Sequence, residues 1–312
     1  MVRKETVSAE LTCTARHRHL RYMHRLGLVC MTESEEVRFR TLTRTRLHKL
    51  SAPEQRDALH RLYQANAESL RRGIAFCHRH AIPLFRIASD LFPFADTDLG
   101  EDVLHEFKDD LRTVGQEAQG LRLVMHPDQY VVLSSDRPDV VGNARRVLQL
   151  HGLLLDLLGQ PRSPWAAVII HGGKGDRAAQ LVAQVQALPD SVRSRLVLEN
   201  DERTYGALDI LEICRASGVP MVFDAHHHVI HESARSYEDH SVAQMLQAAS
   251  TTWPKADWQL VHISNGRESF SDMRHSDLIG VMPSCYRHAP WIEVEAKAKE
   301  RAIFHLRAQG WS

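Results

Sequence analysis

"VFDAHHHVI", residues 222–230, reads as a buried strand that runs into a carboxylate and then three imidazoles. Val222 and Phe223 are apolar β-formers, and Asp224 stands where the strand should end. One histidine at a strand tip is commonly a packing residue. The reading changes if other strands end the same way, and working outward along the chain shows that they do.

Short apolar runs recur: "RLGLVC" (25–30), "IPLFRIA" (82–88), "LRLVMHP" (121–127), "AAVIIHG" (166–172), "RLVLEN" (195–200), "PMVFDAHH" (220–227), "WQLVHIS" (258–264) and "WIEVEAK" (291–297). Continuous runs, rather than alternating ones, suit parallel strands covered on both faces. Between them lie amphipathic stretches with helix punctuation. The stretch 51–80 begins with Ser51 as cap and Pro53 in the first turn, 137–159 closes on Gly159, and 204–218 ends on Gly218. Eight strands alternating with helices predict one (β/α)8 TIM barrel, an α/β fold, over residues 25–312. A doubly wound open sheet is the competitor, but "LVCMTES" after the first strand lacks the glycine-rich turn that fold uses. Residues 1–24 form a short basic N-terminal extension ("ARHRHLRYMHR", 15–25), read as a mobile tail.

Composition narrows the class. The 312 residues are 43% apolar, enough for a substantial core, and 39 basic residues balance 39 acidic ones. That balance does not advertise nucleic-acid binding, yet bound divalent cations would add charge the residue count omits. Five scattered cysteines without a C-x-x-C pair argue for reduced thiols rather than a disulfide framework. The opening "MVRKETVSAE" has no signal-like apolar region, and no run of 18 apolar residues exists. A soluble cytoplasmic, nucleoid-associated protein is expected. The outlier is histidine, at 20 residues, since neutral imidazole is the commonest metal ligand.

In such barrels the functional residues come from the carboxyl ends of the strands. The third strand ends in His126, the fourth in His171, the fifth in Glu199, the sixth in Asp224 with His227, the seventh in His262 and the eighth in Glu295. With 20 histidines and 39 acids in the chain, a two-residue window holds one roughly a third of the time. Six consecutive strand ends doing so is no accident of composition. Imidazoles and carboxylates converging in one barrel mouth cannot all stay desolvated and unpaired. A cluster of two or three divalent cations resolves this, and mixed N/O ligation suits Zn²⁺ or Mn²⁺. Asp224 and His227, at i and i+3 of a strand-to-loop transition, are both expected to turn inward, whereas His226 and His228 read as packing residues. Multi-metal barrels serve phosphate-ester hydrolysis or sugar isomerisation.

Past the third strand, "HPDQY" (126–130) adds Gln129 and Tyr130, a polar amide and a π-face that suit insertion into a base stack. "RLGLVC", "FRIASDLFP", "HPDQY", "HGGKGD", "LEND", "DAHHH", "HISNGR", "RHSDLI" and "VEAKAKE" then appear in order. The set, spanning about residues 25–301, resembles the UV damage endonuclease family. That resemblance implies a TIM barrel with a three-metal site, often manganese, with Zn²⁺ or Mg²⁺ as alternatives. It implies nicking of the phosphodiester immediately 5′ of pyrimidine dimers, 6-4 photoproducts and related lesions in double-stranded DNA. The architecture also resembles endonuclease IV, the three-zinc abasic-site nuclease.

Carried onto this chain, the resemblance implies that His126, His171 and Glu199 hold one ion. Glu199 would bridge to a second held by Asp224, His262 and Glu295, and His227 with His275 would hold the third. Glu199, His126 and Glu295 are the expected catalytic residues. Gln129 and Tyr130 match the family's probing pair, and Lys174 in "HGGKGD" is expected near a phosphate. That segment lacks Walker spacing, so no nucleotide cofactor is expected. One departure stands out: some relatives carry a metal-contacting lysine two residues before the equivalent of His262, and here that position is Leu260. A weaker third ion is expected, with Asp272 as a candidate replacement ligand. The chain is expected to act as a monomer and not at a membrane. An endonuclease IV-like abasic-site nuclease, a xylose-isomerase-like sugar isomerase or epimerase, and an inert metal scaffold are the alternatives.

Overall fold

Eight short strands close in chain order into a parallel barrel in the computed structural model, which describes residues 25–128 and 130–311. They are β1 (Arg25–Val29), β2 (Leu84–Ile87), β3 (Arg122–Met125), β4 (Val168–His171), β5 (Leu196–Glu199), β6 (Met221–Asp224), β7 (Leu260–Ile263) and β8 (Trp291–Val294). β8 pairs back onto β1, with Leu26 beside Ile292. Every apolar run singled out in the sequence supplies one strand, and the barrel rather than the open sheet is the fold. The basic extension and Gln129 lie outside the described residues.

The helices begin and end for local reasons. In Ala52–Arg79 the cap residue Ser51 donates its backbone N–H to Glu54 Oε2 at 2.8 Å, a reciprocal cap that starts the helix. Leu59, Leu62, Tyr63, Leu70, Ile74 and Cys77 then recur at helical spacing and are buried. The helices Pro138–Leu157 and Ala207–Ser217 stop at the left-handed Gly159 (φ 65°) and Gly218 (φ 74°). No helix among the described residues is long and apolar enough to cross a membrane.

Inside the barrel the side chains stack in layers, and the layers decide where chemistry can sit. At the amino-terminal end the buried Arg122 guanidinium lies over the rings of Trp165, Trp291 and Trp253 at 4.8, 5.1 and 5.6 Å. It also donates to the carbonyls of Trp165 and Trp258 at 2.8 and 3.0 Å. This plug satisfies a buried cation without a carboxylate. Above it comes an aliphatic layer of Leu84, Val124, Ile169, Val197, Val222 and Leu260, all fully buried. A Cβ on Gly27 would lie 2.4 Å from Leu84 Cδ2, so β1 contributes only a glycine where Leu84 fills the space. Leu260 therefore belongs to the apolar floor beneath the next layer. That next layer is polar. The register sets His171 beside Glu199 and Asp224 beside His262 at one height.

Candidate metal centre

Glu199 stands at the middle of the polar layer, almost fully buried. Its Oε2 lies 2.9 Å from His126 Nε2 and 3.8 Å from His171 Nε2. Its Oε1 lies 2.8 Å from His262 Nδ1 and 3.8 Å from His227 Nε2. Four imidazoles from four different strands or strand ends thus surround one carboxylate. Three compact donor groups result, each with its ligand atoms within 4.8 Å of one another: His126–Glu199–His262, His171–Glu199–His227 and Asp224–His262–Glu295. Seven of the eight metal ligands read from the sequence fall in these groups. The eighth, His275, sits at the margin, with Nδ1 3.9 Å from Glu295 Oε2. The grouping differs from the one the family resemblance implied, since His171 joins His227 across Glu199.

The "DAHHH" segment departs from its reading as a strand running into a loop. Ala225–His231 is a short helix, and Asp224 is its cap, with Oδ1 accepting the His227 backbone N–H at 2.8 Å. Capping is what brings the i and i+3 side chains to one side, and it leaves Asp224 Oδ2 buried without a hydrogen-bond partner. His226 bonds Tyr237 Oη at 2.7 Å and the Asp272 carbonyl at 2.9 Å, so it packs as expected. His228 bonds Ser241 Oγ at 2.9 Å and is buried, so it packs as expected too.

One expectation is corrected. Asp272 does not join the ligands: its oxygens accept from the Glu268 and Arg274 backbone amides and from the Arg274 guanidinium. Its carboxylate folds the loop instead. Lys174, expected near a phosphate, pairs its ammonium with Asp136, which also takes Arg177 Nε at 2.7 Å. Tyr130 is 79% exposed beside the mouth, free of the packing that would make it a core residue.

Three polar residues of the centre escaped the sequence reading. Glu293, wholly buried, lies 2.6 Å from His262 Nε2, and Arg86 bridges Glu293 (Nε to Oε1, 2.9 Å) and Glu295. Glu202, in the loop after β5, lies 2.9 Å from His227 Nδ1. The signal was present in "FRI" and "WIEVE", where a charged residue interrupts an otherwise apolar strand.

Close packing of imidazoles and carboxylates shifts their proton affinities in opposite directions. Burial works against charge on His227, but Asp224, Glu202 and Glu199 push its imidazole up to about 10. His262 is also held well above its ordinary value against its burial, by Glu199, Glu293 and Glu295. The His227 ring in turn holds the Glu202 carboxyl down to about 2. The residues fit divalent cations on chemical grounds. Asp224 Oδ2 is a buried polar atom without a partner, and such an orphan costs on the order of 1–3 kcal/mol unless a ligand meets it. The His126 Nδ1 lies 2.9 Å from the Pro127 carbonyl, which orients the ring so that Nε2 faces Glu199. Mixed imidazole and carboxylate donors suit Mn²⁺ or Zn²⁺.

Residues 24–310 match the family model described as "UV-endonuclease UvdE". A UV DNA damage endonuclease from Nostoc sp. is 50% identical over 287 residues, covering 91% of this chain and 89% of the relative. The crystal structure of SacUVDE superposes with a TM-score of 0.77 at 24% identity, covering 93% of this chain and all of that one. Endonuclease IV from Thermus thermophilus has the same fold, with a TM-score of 0.56 at 12% identity over 92% of this chain and 98% of that chain.

Proposed function

This chain belongs to the UV-endonuclease UvdE family, and on that premise we propose that it is a metal-dependent DNA repair endonuclease. Its substrate in this reading is double-stranded DNA carrying UV photoproducts, nicked at the phosphodiester immediately 5′ of the lesion. The observation that carries the chemistry is the ring of four imidazoles around the buried Glu199.

His126, His171, Glu199, Asp224, His227, His262 and Glu295 would hold the ions, with His275 at the edge and manganese as the ion of choice. Such cations supply Lewis acidity toward a phosphoryl group and make water acidic enough to attack near neutral pH. The chain's own part is orientation. Glu199 faces both sides of the donor set, so it is the residue able to hold an attacking water in line while remaining ionised. His126 is aimed by the Pro127 carbonyl and His262 by Glu293. Tyr130 offers an exposed ring to the gap that a flipped lesion leaves, and a distorted site costs least to open. Gln129, its partner in this role, is proposed on sequence grounds, as is action by a monomer.

Incision of UV-irradiated plasmid, with manganese added or chelated, tests the reading. Nicking at the lesion that disappears on chelation is expected. Glu199→Gln should remove incision and keep binding to damaged duplex; full activity in that variant would refute the scheme. Faster cutting of an abasic duplex than of a UV-irradiated one would transfer the protein to abasic-site repair.

A further inference from the structure

Between β1 and β8, beside the metal centre, a cavity of about 380 Å³ opens among Val29, His275, Glu295, Lys297 and Lys299. Two arginines also line it, but both are matched by acids. Arg86 pairs with Glu293 and Glu295, and Arg274 with Asp272 and Glu268. The lysines differ. Among the described residues no carboxylate lies within ion-pair distance of either ammonium, and Lys299 is half-buried.

The backbone at Lys299 is left-handed (φ 46°), a conformation that costs a residue with a Cβ and that glycine or asparagine would adopt more readily. Glu295 attracts the Lys299 charge from beyond ion-pair distance, and stability alone would not select a lysine without a direct ion pair there. The turn that carries it is clamped on both sides. Glu300, buried, accepts the backbone amides of Glu33 and Ser34 at 2.7 and 2.9 Å, tying the turn to the loop after β1. Lys297 and Ala298 donate their amides to the Ser276 and Asp277 carbonyls at 3.0 Å, tying it to the loop that holds His275. The backbone that carries Lys299 is thus fixed at the wall of a cavity that ends on two residues of the metal centre.

We propose that Lys299, with Lys297 at the outer edge, is an anion subsite that takes a non-bridging oxygen of the phosphodiester next to the one being cut. This rests on the endonuclease reading above. The subsite fixes the strand's register over the metal centre without reading sequence, the general role of phosphate contacts.

The test uses metal-loaded protein and a UV-irradiated duplex already nicked 5′ of the lesion, so that equilibrium binding is read without turnover. Lys299→Gly relieves the left-handed strain while removing the charge, and Lys299→Arg keeps the charge. For Lys299→Gly the expected result is unchanged metal content, an equal or higher Tm, and binding weaker by about 5- to 10-fold. The plot of log affinity against log salt should be shallower by about 0.9, the signature of one lost phosphate contact. Lys299→Arg should restore most of the slope. An unchanged slope in Lys299→Gly, with the wild-type protein incising UV-irradiated DNA normally, overturns the subsite alone. A wild-type protein that neither binds nor incises such DNA overturns the endonuclease reading and the subsite with it.

Discussion

Glu293 Oε2 lies 2.6 Å from Nε2 of His262, while Glu199 Oε1 lies 2.8 Å from Nδ1 of the same ring. The imidazole is gripped at both nitrogens, so its rotation is set by two carboxylates. With Nε2–H donating to Glu293, Nδ1 is the nitrogen that would give up its proton to a cation shared with Asp224 and Glu295.

Glu293→Gln should therefore weaken metal binding by about 10- to 100-fold, the usual cost of losing an orienting partner. An amide cannot accept from both Arg86 Nε and His262 Nε2 as the carboxylate does. Competition against a chelator of known affinity reads the loss, and wild-type affinity in that variant would show that Glu293 serves only Arg86.

Loading the centre should release protons. His227, at about 10, and His262, held well above the ordinary imidazole value, both carry protons near pH 7.5 in the metal-free chain. Ligation expels them, so metal affinity rises with pH. The stability of the metal-free chain has the opposite sign. A raised imidazole contributes stability that is complete below 6.5, its ordinary value, and is lost as the pH climbs through about 10. Adding Mn²⁺ to weakly buffered apoprotein with a pH indicator measures the release, and a silent indicator would remove His227 and His262 from the ligand set.

Chelation should also lower thermal stability, because Asp224 Oδ2 is then buried without a partner. A site occupied at a hundredfold its Kd contributes about 2.7 kcal/mol, so a fall in Tm on the order of 5 °C or more is expected. Equal melting curves with and without chelator would mean that the donors hold no ion in the folded state.

Tyr130→Ala should leave stability within about 0.5 kcal/mol, as for an exposed side chain without packing. Its effect should fall on discrimination, narrowing the preference for damaged over intact duplex before the rate of incision at saturation changes. A fall in Tm with unchanged discrimination would instead assign the ring to packing.

The sequence by itself determined the barrel and the chemical character of its mouth. Strand runs and their terminal residues are local properties: the period of side-chain direction along a strand places His126, His171, Glu199, Asp224 and His262 on the inner face wherever the strands come to lie. Only the tertiary structure decided who meets whom. His126 and Glu199 are 73 residues apart in the chain, and Arg86 and Glu293 are 207 apart, so their pairing follows from barrel closure and register rather than from any local pattern. The same holds for three further residues. Asp224 acts as a helix cap because Ala225–His231 winds up on it, Lys174 is neutralised because Asp136 arrives from another loop, and Leu260 drops into the aliphatic floor one layer below His262. Residue type and spacing set what each strand end can do, and three-dimensional proximity sets the charges around it, which decide what it does.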